Sequence, residues 1–314
     1  MRQPKLTIII PNYNHGSFLE RAIISVANQD YPNKELIVVD GGSTDNSLEI
    51  IKRYSDQISL WISERDQGTF EANNKGLRKM TGDFWCVLNA DDIFFPGALK
   101  TVADVILRNP GSKWLTGGQR LLDEQDQIVG TVDPIAPFPV AGYTFLAGCW
   151  IAHASTFLHR SVVDEVGLFA QSHTMDYEYW LRMEAAGFVP HVFPQYISAL
   201  RVHKGAKSYN RVKLHEECLL VMKSFCAKKG LDSNEVRTRF KQEEDHIIRL
   251  RIAQLLKNKR RVKTISLLLG RVFKDPSTLS ERWFWGSVKR VILGVSKADP
   301  INEDALAGEG SGNW

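Results

Sequence analysis

The sequence predicts an α/β domain with a Rossmann-like, mostly parallel sheet, followed by a basic helical extension. Short apolar runs of strand length alternate with stretches of helical periodicity over the first hundred residues. The strands are predicted at 5–10, 35–40, 58–63 and 84–89, and the helices between them at 16–29, 43–55 and 70–80. This alternation favours a parallel sheet with helices on both faces and right-handed crossovers.

The individual elements follow from local patterns. The run "KLTIII" ends at Pro11, as expected of a buried strand. The first helix has apolar residues at helical spacing that predict its buried face: Phe18, Leu19, Ala22, Ile23 and Val26. The second helix opens with capping residues in "STDNS". The runs "ISLWIS" and "FWCVLN" complete the four strands, with a helix around "FEANNKGLRKM" between them.

Between residues 113 and 160 the pattern changes to short strands and Pro/Gly-rich connections, including the irregular stretch "DPIAPFPVAGYTFLAGCW". A loop of this length in a compact domain more often has a function than serves only as a connection. A helix is predicted over 175–187, a strand from 198, and mainly helices after 208. The predicted division is a domain over 1–207, a basic helical region over 208–300 and a disordered tail over 301–314.

The net charge of +4 hides an asymmetry along the chain. Positions 1–200 hold 16 basic and 23 acidic residues, whereas positions 201–300 hold 24 basic and 10 acidic residues. The first part has the charge of a catalytic or binding domain, and the second part suits an anionic surface.

The cysteines and the hydropathy pattern indicate the compartment. The four cysteines show no metal-ligand or redox spacing, and Cys86 lies in an apolar strand, so a reducing, cytosolic setting is expected. The apolar stretch in "MRQPKLTIIIPNYN" is too short for a signal peptide, and no run reaches the ~18 to 20 apolar residues of a membrane span. We expect a soluble or peripheral protein.

Polar residues follow each of the four strands, as "PNYN", "DGGSTD", "SERDQG" and "NADD". In parallel α/β sheets, ligands bind beyond the carboxyl ends of the strands. One such end is ordinary loop chemistry, but four at the same edge outline a site.

The adjacent carboxylates of Asp91 and Asp92 follow a buried strand and repel each other there. A divalent cation that carries a phosphorylated ligand would compensate them, since Mg²⁺ and Mn²⁺ are often shared between carboxylates and phosphates. The alternative is a pair of capping residues for the helix that starts near Pro96.

In "VVDGGSTD", Asp40 ends a buried strand, and the glycines after it permit close approach of a ligand. A carboxylate there can accept the N–H of a nucleobase edge; the alternative is a turn with a helix cap. The absence of GxGxxG and GxxxxGK[ST] excludes the dinucleotide-binding signature and the P-loop.

Taken together, the chain resembles the family 2 glycosyltransferases with the GT-A fold, the fold of nucleotide-diphospho-sugar transferases. The matching stretches lie within about 5–208 and come in the family's order: "TIIIPNYNHGSFLERAIISVANQDYPNKELIVVDGGSTDNS", "SERDQGTFEANNKGLRKMTGDFWCVLNADD", "HASTFLHRSVVDEVGLF", "DYEYWLR" and "RVHKGAKS". The resemblance implies inverting transfer from a nucleotide sugar with Mg²⁺ or Mn²⁺ as cofactor.

The resemblance also implies roles for individual residues. The donor nucleotide would contact Pro11, Asn12, Tyr13, Asp40, Asp66, Asn73, Lys75 and Asp91. Within the DxD-type motif, Asp92 would bind the metal that bridges the diphosphate, and Asp91 would face ribose or a metal-bound water. His203 would be a further metal or diphosphate ligand.

The general base is predicted on the helix "MDYEYWLR". The family usually has Glu-Asp before this helix, and here the pair is Met175-Asp176, which favours Asp176 as base and keeps Glu178 in reserve. Loss of the neighbouring acid removes a like charge that would raise the pKa of Asp176. An ion pair with Arg182 on the helix surface is the alternative for the acids.

The acceptor is expected near the irregular stretch. Trp150 could stack on a sugar face and His153 could bond a hydroxyl; equally, both could pack beneath the long loop.

The C-terminal region contains the segment "ERWFWGSVKRVILGVSK" (281–297) and, upstream, "KNKRRVK". The two predict an amphipathic helix on an anionic membrane surface, or else a helix packed on the catalytic domain. No nucleic acid is expected as a partner, because no recognised binding module accompanies the charge.

The leading hypothesis is a metal-dependent glycosyltransferase of surface polysaccharide biosynthesis. It would act on a glycan or lipid-linked acceptor, with a UDP-sugar favoured as donor, at the cytoplasmic face of the cell membrane. The rival is a catalytically inactive scaffold that binds nucleotide sugar or glycan. A sugar-nucleotide pyrophosphorylase is disfavoured, because "PNYNHGS" occupies the place of its Gly-rich loop.

Overall fold

A computed structural model describes residues 2–172, 174–206 and 209–293 of the chain. The described residues up to Ala206 form one compact unit, and residues 209–293 form a second. The predicted tail over 301–314, and the end of the predicted helix over 281–297, lie outside the described residues.

The first unit contains nine strands in one mixed sheet. They are β1 (Leu6–Asn12), β2 (Lys34–Asp40), β3 (Leu60–Ser63), β4 (Phe84–Val87), β5 (Ile93–Phe94), β6 (Trp114–Leu122), β7 (Ile128–Val132), β8 (Thr156–His159) and β9 (His191–Arg201). The spatial order is β3-β2-β1-β4-β8-β6-β9-β5, and β7 pairs with β6.

Seven α-helices accompany these strands in the described part of the first unit. They are α1 (Gly16–Ala27), α2 (Ser47–Arg53), α3 (Thr69–Lys79), α4 (Ala98–Arg108), α5 (Thr144–Ala147), α6 (Ser161–Val166) and α7 (Met175–Ala185).

The N-terminal half of the sheet is parallel, as the alternation of strands and helices predicts. β1 pairs in parallel with both β2 and β4, and β2 pairs in parallel with β3. β8 then pairs antiparallel with β4 and β6, while β6 and β9 are parallel. All seven residues of β1 are buried, as expected for a strand with a neighbour on each side and helices above and below.

The predicted face of α1 forms part of the main core, with one exception. Leu19, Ala22, Ile23 and Val26 are fully buried, whereas Phe18 is only half-buried and lies 4.8 Å, between ring centroids, from His203. On the other face of the sheet, Gly76 lets α3 approach β1 closely, because a Cβ at this position would lie 2.6 Å from the Ile9 side chain.

A side-chain amide joins α3 to the loop before α7. Nδ2 of Asn74 donates to the backbone carbonyl of Phe169 at 2.9 Å, and Oδ1 of Asn74 accepts from the Phe169 backbone N–H at 2.9 Å. Asn74 is 6% exposed and the Phe169 ring is buried, so both hydrogen bonds form away from water.

The described part of the second unit is helical, as predicted. Its helices are α8 (Arg211–Lys229), α9 (Asn234–Lys257), α10 (Arg261–Lys274) and α11 (Arg282–Leu293). The side chains of Asn210 and Ser233 accept from backbone N–H groups in the first turns of α8 and α9, which caps those helices. None of the helices in the described ranges is long and apolar enough to cross a bilayer.

The second unit has its own apolar core and a buried ionic network. Ile252, Leu268, Phe284 and Val291 pack together. Elsewhere in the unit, Glu243 on α9 accepts from Nδ1 of His215 on α8 at 2.6 Å and from Arg239 at 2.8 Å, and Arg271 on α10 donates to Asp245 at 2.6 Å. Glu243, Asp245 and Arg271 are buried, so the charge of each depends on its partner.

Candidate active site

The carboxyl ends of the first four strands lie along one edge of the sheet. The parallel registers place Asn12 of β1 opposite Asp40 of β2, and Asp40 opposite Ser63 of β3. β4 runs parallel to β1, and the segment after it carries Asp91 and Asp92. The prediction that four polar strand ends share one edge is therefore confirmed.

The carboxylate of Asp40 is fully buried and is satisfied from within the protein. Oδ1 accepts from Nδ2 of Asn12 at 2.7 Å and from the hydroxyl of Ser43. Oδ2 accepts from the hydroxyl of Ser63 at 2.8 Å and from the backbone N–H of Ser43 at 3.0 Å. Burial opposes ionisation, but these hydrogen bonds outweigh it and lower the pKa of Asp40. Its ionised carboxylate therefore shapes the turn after β2, and recognition of a nucleobase by Asp40 stays a prediction.

The loop after β1 is held in a fixed conformation that leaves one aromatic ring in solvent. Asn14 has a φ of 55°, and its side chain accepts from the backbone N–H of Thr44 at 2.8 Å. Its own backbone N–H donates to the hydroxyl of Ser43 at 2.8 Å. Pro11 is buried, whereas Tyr13 is 59% exposed and offers its ring to a planar ligand.

The carboxylate of Asp66 lies directly against the backbone of Gly41. A Cβ at Gly41 would lie 2.6 Å from Oδ2 of Asp66, so only glycine fits there with Asp66 in place. Oδ1 of Asp66 accepts from the backbone N–H of Gly68 at 2.9 Å. Burial raises the pKa of Asp66. The structure thus brings Asp66 to the turn that follows β2.

Asn73 and Lys75, the two nucleotide contacts predicted on α3, differ in their surroundings: Asn73 is buried, and Lys75 forms an ion pair. Asn73 is fully buried, with Nδ2 3.7 Å from the sulfur of Met175 at the start of α7. Its Oδ1 has no hydrogen-bond partner among the described residues. Lys75 pairs with Glu64 at 2.9 Å and donates to the carbonyl of Arg65 at 3.3 Å. Lys75 therefore holds the segment after β3, and a contact with a donor stays a prediction for both residues.

The structure reverses the predicted arrangement of the adjacent aspartates. Asp92 is 2% exposed, and its carboxylate accepts from Nδ2 of Asn89 at 3.0 Å and from the backbone N–H of Arg201 at 3.2 Å. Burial and the neighbouring charge of Asp91 raise the pKa of Asp92 well above its usual range. Asp92 therefore points into the protein, and Asp91 is the outer carboxylate.

Asp91 lies in a cluster of metal-ligating groups. Its Oδ2 is 3.0 Å from Nε2 of His203, and one ligand atom each of His15, Asp91 and His203 lie within 4.8 Å of one another. The 3.0 Å between Asp91 and His203 is the spacing that two adjacent ligands of a single cation would have, and the donor types fit a divalent transition metal. The residues present therefore fit a cation, with Asp91 in the place predicted for Asp92.

The predicted base and a predicted acceptor residue are neighbours. Asp176 lies in the first turn of α7 with its side chain 35% exposed, and its Oδ2 is 3.9 Å from Nδ1 of His153. Burial lowers the pKa of His153, and Asp176 offsets only part of this effect, so the ring is neutral near pH 7. Nε2 of His153 has no partner among the described residues.

Glu178 forms an ion pair and Trp150 packs in the interior, which are the alternatives that the sequence left open for these residues. Glu178 forms a bidentate ion pair with Arg182, with contacts of 2.8 to 3.0 Å. Trp150 is 3% exposed, stacks on Phe145 at 5.3 Å, and donates to the hydroxyl of Thr144 at 3.1 Å. The Glu178 carboxylate and the Trp150 ring are thus both engaged by protein partners, and a base role for Glu178 and a sugar contact for Trp150 stay predictions.

Sequence reasoning missed His15 and Arg201. His15 follows the "PNYN" motif directly, and that position after a strand was the available signal. Arg201 is 1% exposed and pairs with Asp126, while its guanidinium lies 5.4 Å above the Phe18 ring. The sequence offers no local sign of this long-range pairing, which places the end of β9 beside Asp92.

Comparison with known proteins gives one family. The model of glycosyl transferase family 2 matches residues 7–113. The chain is 30% identical over 177 residues to the Escherichia coli protein named UDP-Glc:alpha-D-GlcNAc-diphosphoundecaprenol beta-1,3-glucosyltransferase WfgD. This match covers 56% of the chain and 68% of WfgD.

Other curated relatives are longer than the part they share with the chain. The uncharacterized glycosyltransferase RC0461 of Rickettsia conorii is 27% identical over 234 residues, which cover 70% of the chain and 38% of that protein. An uncharacterized glycosyltransferase of Haemophilus influenzae is 38% identical over 112 residues, which cover 35% of the chain and 45% of that protein. The chain thus spans less than half the length of these relatives.

Two solved structures share the fold. TarS 1–349 of S. aureus, in complex with UDP-GlcNAc, has a TM-score of 0.57 at 16% identity, covering 96% of the chain and 84% of TarS 1–349. The mannosyltransferase PcManGT of Pyrobaculum calidifontis, in complex with GDP-Man and Mn²⁺, has a TM-score of 0.57 at 17% identity, covering 94% of the chain and 86% of PcManGT. The predicted GT-A-type fold is confirmed.

Proposed function

The chain belongs to the family 2 glycosyltransferases, and we propose that it transfers a sugar from a nucleoside-diphosphate donor to a hydroxyl group with inversion. The observation that supports this most is the cluster of Asp91 with His203 and His15 beyond the ends of parallel strands. Ligands of such sheets bind at that edge. A UDP-sugar is the favoured donor, and dTDP- and GDP-sugars stay open.

The nucleoside half of the donor would lie over the ends of β1 to β3. The Tyr13 ring is available to stack on the base, since more than half of it is in solvent. Asp40 and Asp66 supply the carboxylates at this end of the site, and Asn12 holds Asp40 in place. Pro11, Asn73 and Lys75 would complete the nucleotide contacts, as the resemblance to the family implies.

The diphosphate half would lie beside Asp91 and His203, which would hold Mn²⁺ or Mg²⁺. A bound divalent cation stabilises the negative charge that develops on the departing diphosphate. Asp91 is the metal-binding carboxylate in this proposal, because Asp92 is enclosed by Asn89 and the Arg201 backbone.

Asp176 would be the general base. Its carboxylate takes the proton of the acceptor hydroxyl while that oxygen forms a bond to the anomeric carbon. The bond from the anomeric carbon to the phosphate oxygen breaks on the opposite face, and the nucleoside diphosphate leaves with the electron pair. A single displacement inverts the anomeric carbon, as in inverting glycoside hydrolysis with the acceptor in place of water. His153 flanks Asp176 and offers the hydroxyl a hydrogen-bond partner.

The acceptor would be a glycan or a lipid-linked sugar of surface polysaccharide biosynthesis, at the cytoplasmic face of the membrane. Support comes from WfgD, whose name specifies a sugar-diphosphoundecaprenol acceptor.

The test is release of nucleoside diphosphate from UDP-, dTDP- and GDP-sugars with Mn²⁺, with and without a membrane-lipid extract. Metal-dependent release by the wild type that is lost in Asp91→Asn and Asp176→Asn is the expected result. Binding of donor without release under any condition would instead favour the non-catalytic scaffold.

A membrane surface is the partner that we propose for the second unit, and α10 supports it more strongly than α11 does. In α11 Phe284 and Val291 are buried, and Trp285 and Ile292 remain exposed. On α10 an exposed apolar stripe runs along one face: Val262 (81%), Ile265 (45%), Leu269 (63%) and Phe273 (95%). Basic residues flank it, including Lys263 and Lys274, and this combination suits anionic lipid.

Sedimentation with vesicles tests this partner. The full chain should bind vesicles with an anionic lipid more strongly than neutral vesicles, and Leu269→Glu with Phe273→Glu should abolish the difference. Leu220→Glu is the matched control, because Leu220 is also an exposed leucine, 66% exposed, on α8. Equal binding to both vesicle types, or loss in the control alone, would contradict the proposal.

A further inference from the structure

We propose that His15 is a third protein ligand of the cation, and that the resulting two-imidazole, one-carboxylate set selects Mn²⁺ over Mg²⁺. The inference rests on the metal site of the proposed function and goes beyond it by adding a ligand and a selectivity. Neither the strand-end motif nor the DxD-type motif includes His15.

The first support is distance. A ligand nitrogen of His15 lies within 4.8 Å of the carboxylate oxygen of Asp91 and of a ring nitrogen of His203. The Asp91–His203 pair is separated by 3.0 Å. Two ligands at right angles around a cation at about 2.1 Å would be about 3 Å apart, and opposite ligands about 4.2 Å apart. Small side-chain adjustments would therefore let all three atoms reach one ion.

The second support is the way both imidazoles are positioned. His15 immediately precedes α1, and its carbonyl accepts from the backbone N–H groups of Phe18 and Leu19 at 2.9 Å. The His15 and His203 rings are 6.2 Å apart and nearly perpendicular, and both rest against Phe18. Because α1 packs its apolar face in the core, the position of the His15 backbone is fixed before any ion binds.

The third support is donor chemistry. Mg²⁺ prefers oxygen ligands and gives up its water reluctantly. Mn²⁺ also binds carboxylate oxygen well, but as a first-row transition-metal ion it accepts a nitrogen ligand at a smaller cost than Mg²⁺ does. A site with two nitrogen donors and one carboxylate therefore disfavours Mg²⁺. Asp92 cannot restore an oxygen-rich set, because it is buried against Asn89 and the Arg201 backbone.

The experiment uses Mn²⁺ as the probe and electron paramagnetic resonance as the readout, on the full chain with and without UDP. The wild type should bind Mn²⁺ at least about tenfold more tightly than Mg²⁺ in competition. Pulsed measurements should detect nitrogen coupling from two imidazoles. His15→Ala should weaken Mn²⁺ binding by about tenfold or more and remove one coupled nitrogen.

Two further variants make the result specific. His15→Asp replaces a nitrogen ligand by an oxygen ligand, and should narrow the preference for Mn²⁺ over Mg²⁺. His191→Ala is the matched control, because His191 is also a half-buried histidine. It begins β9, whereas Arg201, beside the proposed metal site, ends that strand, so ten residues of strand, about 33 Å, separate the two. It should leave both the affinity and the nitrogen coupling unchanged.

The outcomes separate this inference from the proposed function. If His15→Ala keeps wild-type Mn²⁺ affinity and two coupled nitrogens while Asp91→Asn loses both metal and turnover, His15 is not a ligand and the transferase proposal stands. If the wild type binds no Mn²⁺ with or without UDP, the inference is overturned. Turnover with Mg²⁺ equal to that with Mn²⁺, together with equal affinities, would overturn the selectivity.

Discussion

Nδ1 of His153 lies 3.9 Å from Oδ2 of Asp176, although the two residues come from separate segments of the chain. The contact places a neutral imidazole, with 13% of its side chain exposed, beside a partly exposed carboxylate at the start of α7. An acceptor hydroxyl at this point would find a hydrogen-bond partner and a proton acceptor side by side.

Asp176→Asn should lower kcat by about 10²- to 10⁴-fold, the range by which a positioned acid or base contributes. Glu178→Gln should act mainly on stability, because it breaks the bidentate pair with Arg182. Single-turnover rates and thermal melting of both variants check this. A greater loss of rate in Glu178→Gln at unchanged melting temperature would transfer the base role to Glu178.

Exchange of the two adjacent aspartates for asparagine should have unequal effects. Asp91→Asn should abolish Mn²⁺ binding, because it removes the outer carboxylate beside His203. Asp92→Asn is isosteric, and the Asn89 amide can turn to accept from it, so Mn²⁺ affinity should change by less than about tenfold, or ~1.4 kcal/mol. The Mn²⁺ dissociation constants of both variants are the measurement. Loss in Asp92→Asn alone would restore the arrangement expected from the sequence.

Tyr13→Ala should weaken donor binding through loss of base stacking. Stacking of a base on an aromatic ring contributes about 1 to 3 kcal/mol, which corresponds to roughly 5- to 150-fold in Kd. Tyr13→Phe keeps the ring and should bind UDP as the wild type does. Calorimetric titration with UDP distinguishes the two variants, and equal weakening in both would assign the effect to the hydroxyl instead.

The second unit should lose stability in acid through Glu243. Burial alone would raise the pKa of Glu243, but hydrogen bonds and charges from His215 and Arg239 lower it to about 2. The folded-state pKa is thus below the ordinary value of about 4.3, so the stabilisation is complete above about pH 4.3 and is lost as the pH falls towards 2.

Glu243→Gln should therefore destabilise the unit at neutral pH by about 3 kcal/mol, because it leaves Arg239 without its counter-charge and His215 without its carboxylate partner. The difference from wild type should shrink towards pH 2. Denaturant unfolding followed by far-UV circular dichroism between pH 2 and 7 measures both effects. A constant difference over this range would exclude the ionised pair as its cause.

The first half of the sheet could be predicted because its determinants are local. Apolar runs such as Leu6–Asn12 and Lys34–Asp40 alternate with helical spacing, and parallel pairing then places their ends together. β8 lies antiparallel between β4 and β6, and no comparable local signal predicts this position. Both of the strands with which β8 pairs come from segments far from it in the sequence.

Within the site, residue types could be predicted better than side-chain directions. Whether Asp91 or Asp92 faces outward depends on the turn in which the Asp92 N–H donates to the Asn89 carbonyl and on the arrival of Arg201 from β9. The proximity of His15 to Asp91 likewise depends on tertiary structure. Trp150 is a further case in which the side-chain direction could not be predicted. It belongs to a long loop, yet its ring is buried and stacks on Phe145.

The reciprocal hydrogen bonds between Asn74 and Phe169 have a consequence for engineering the segment that precedes α7. They engage only the main chain of residue 169, so any residue except proline, which has no backbone N–H, can keep both hydrogen bonds. A foreign segment grafted between residues 169 and 176 would therefore be tethered at its first residue to α3. Libraries that vary this segment can keep Asn74 constant, so that each variant retains the two hydrogen bonds to residue 169.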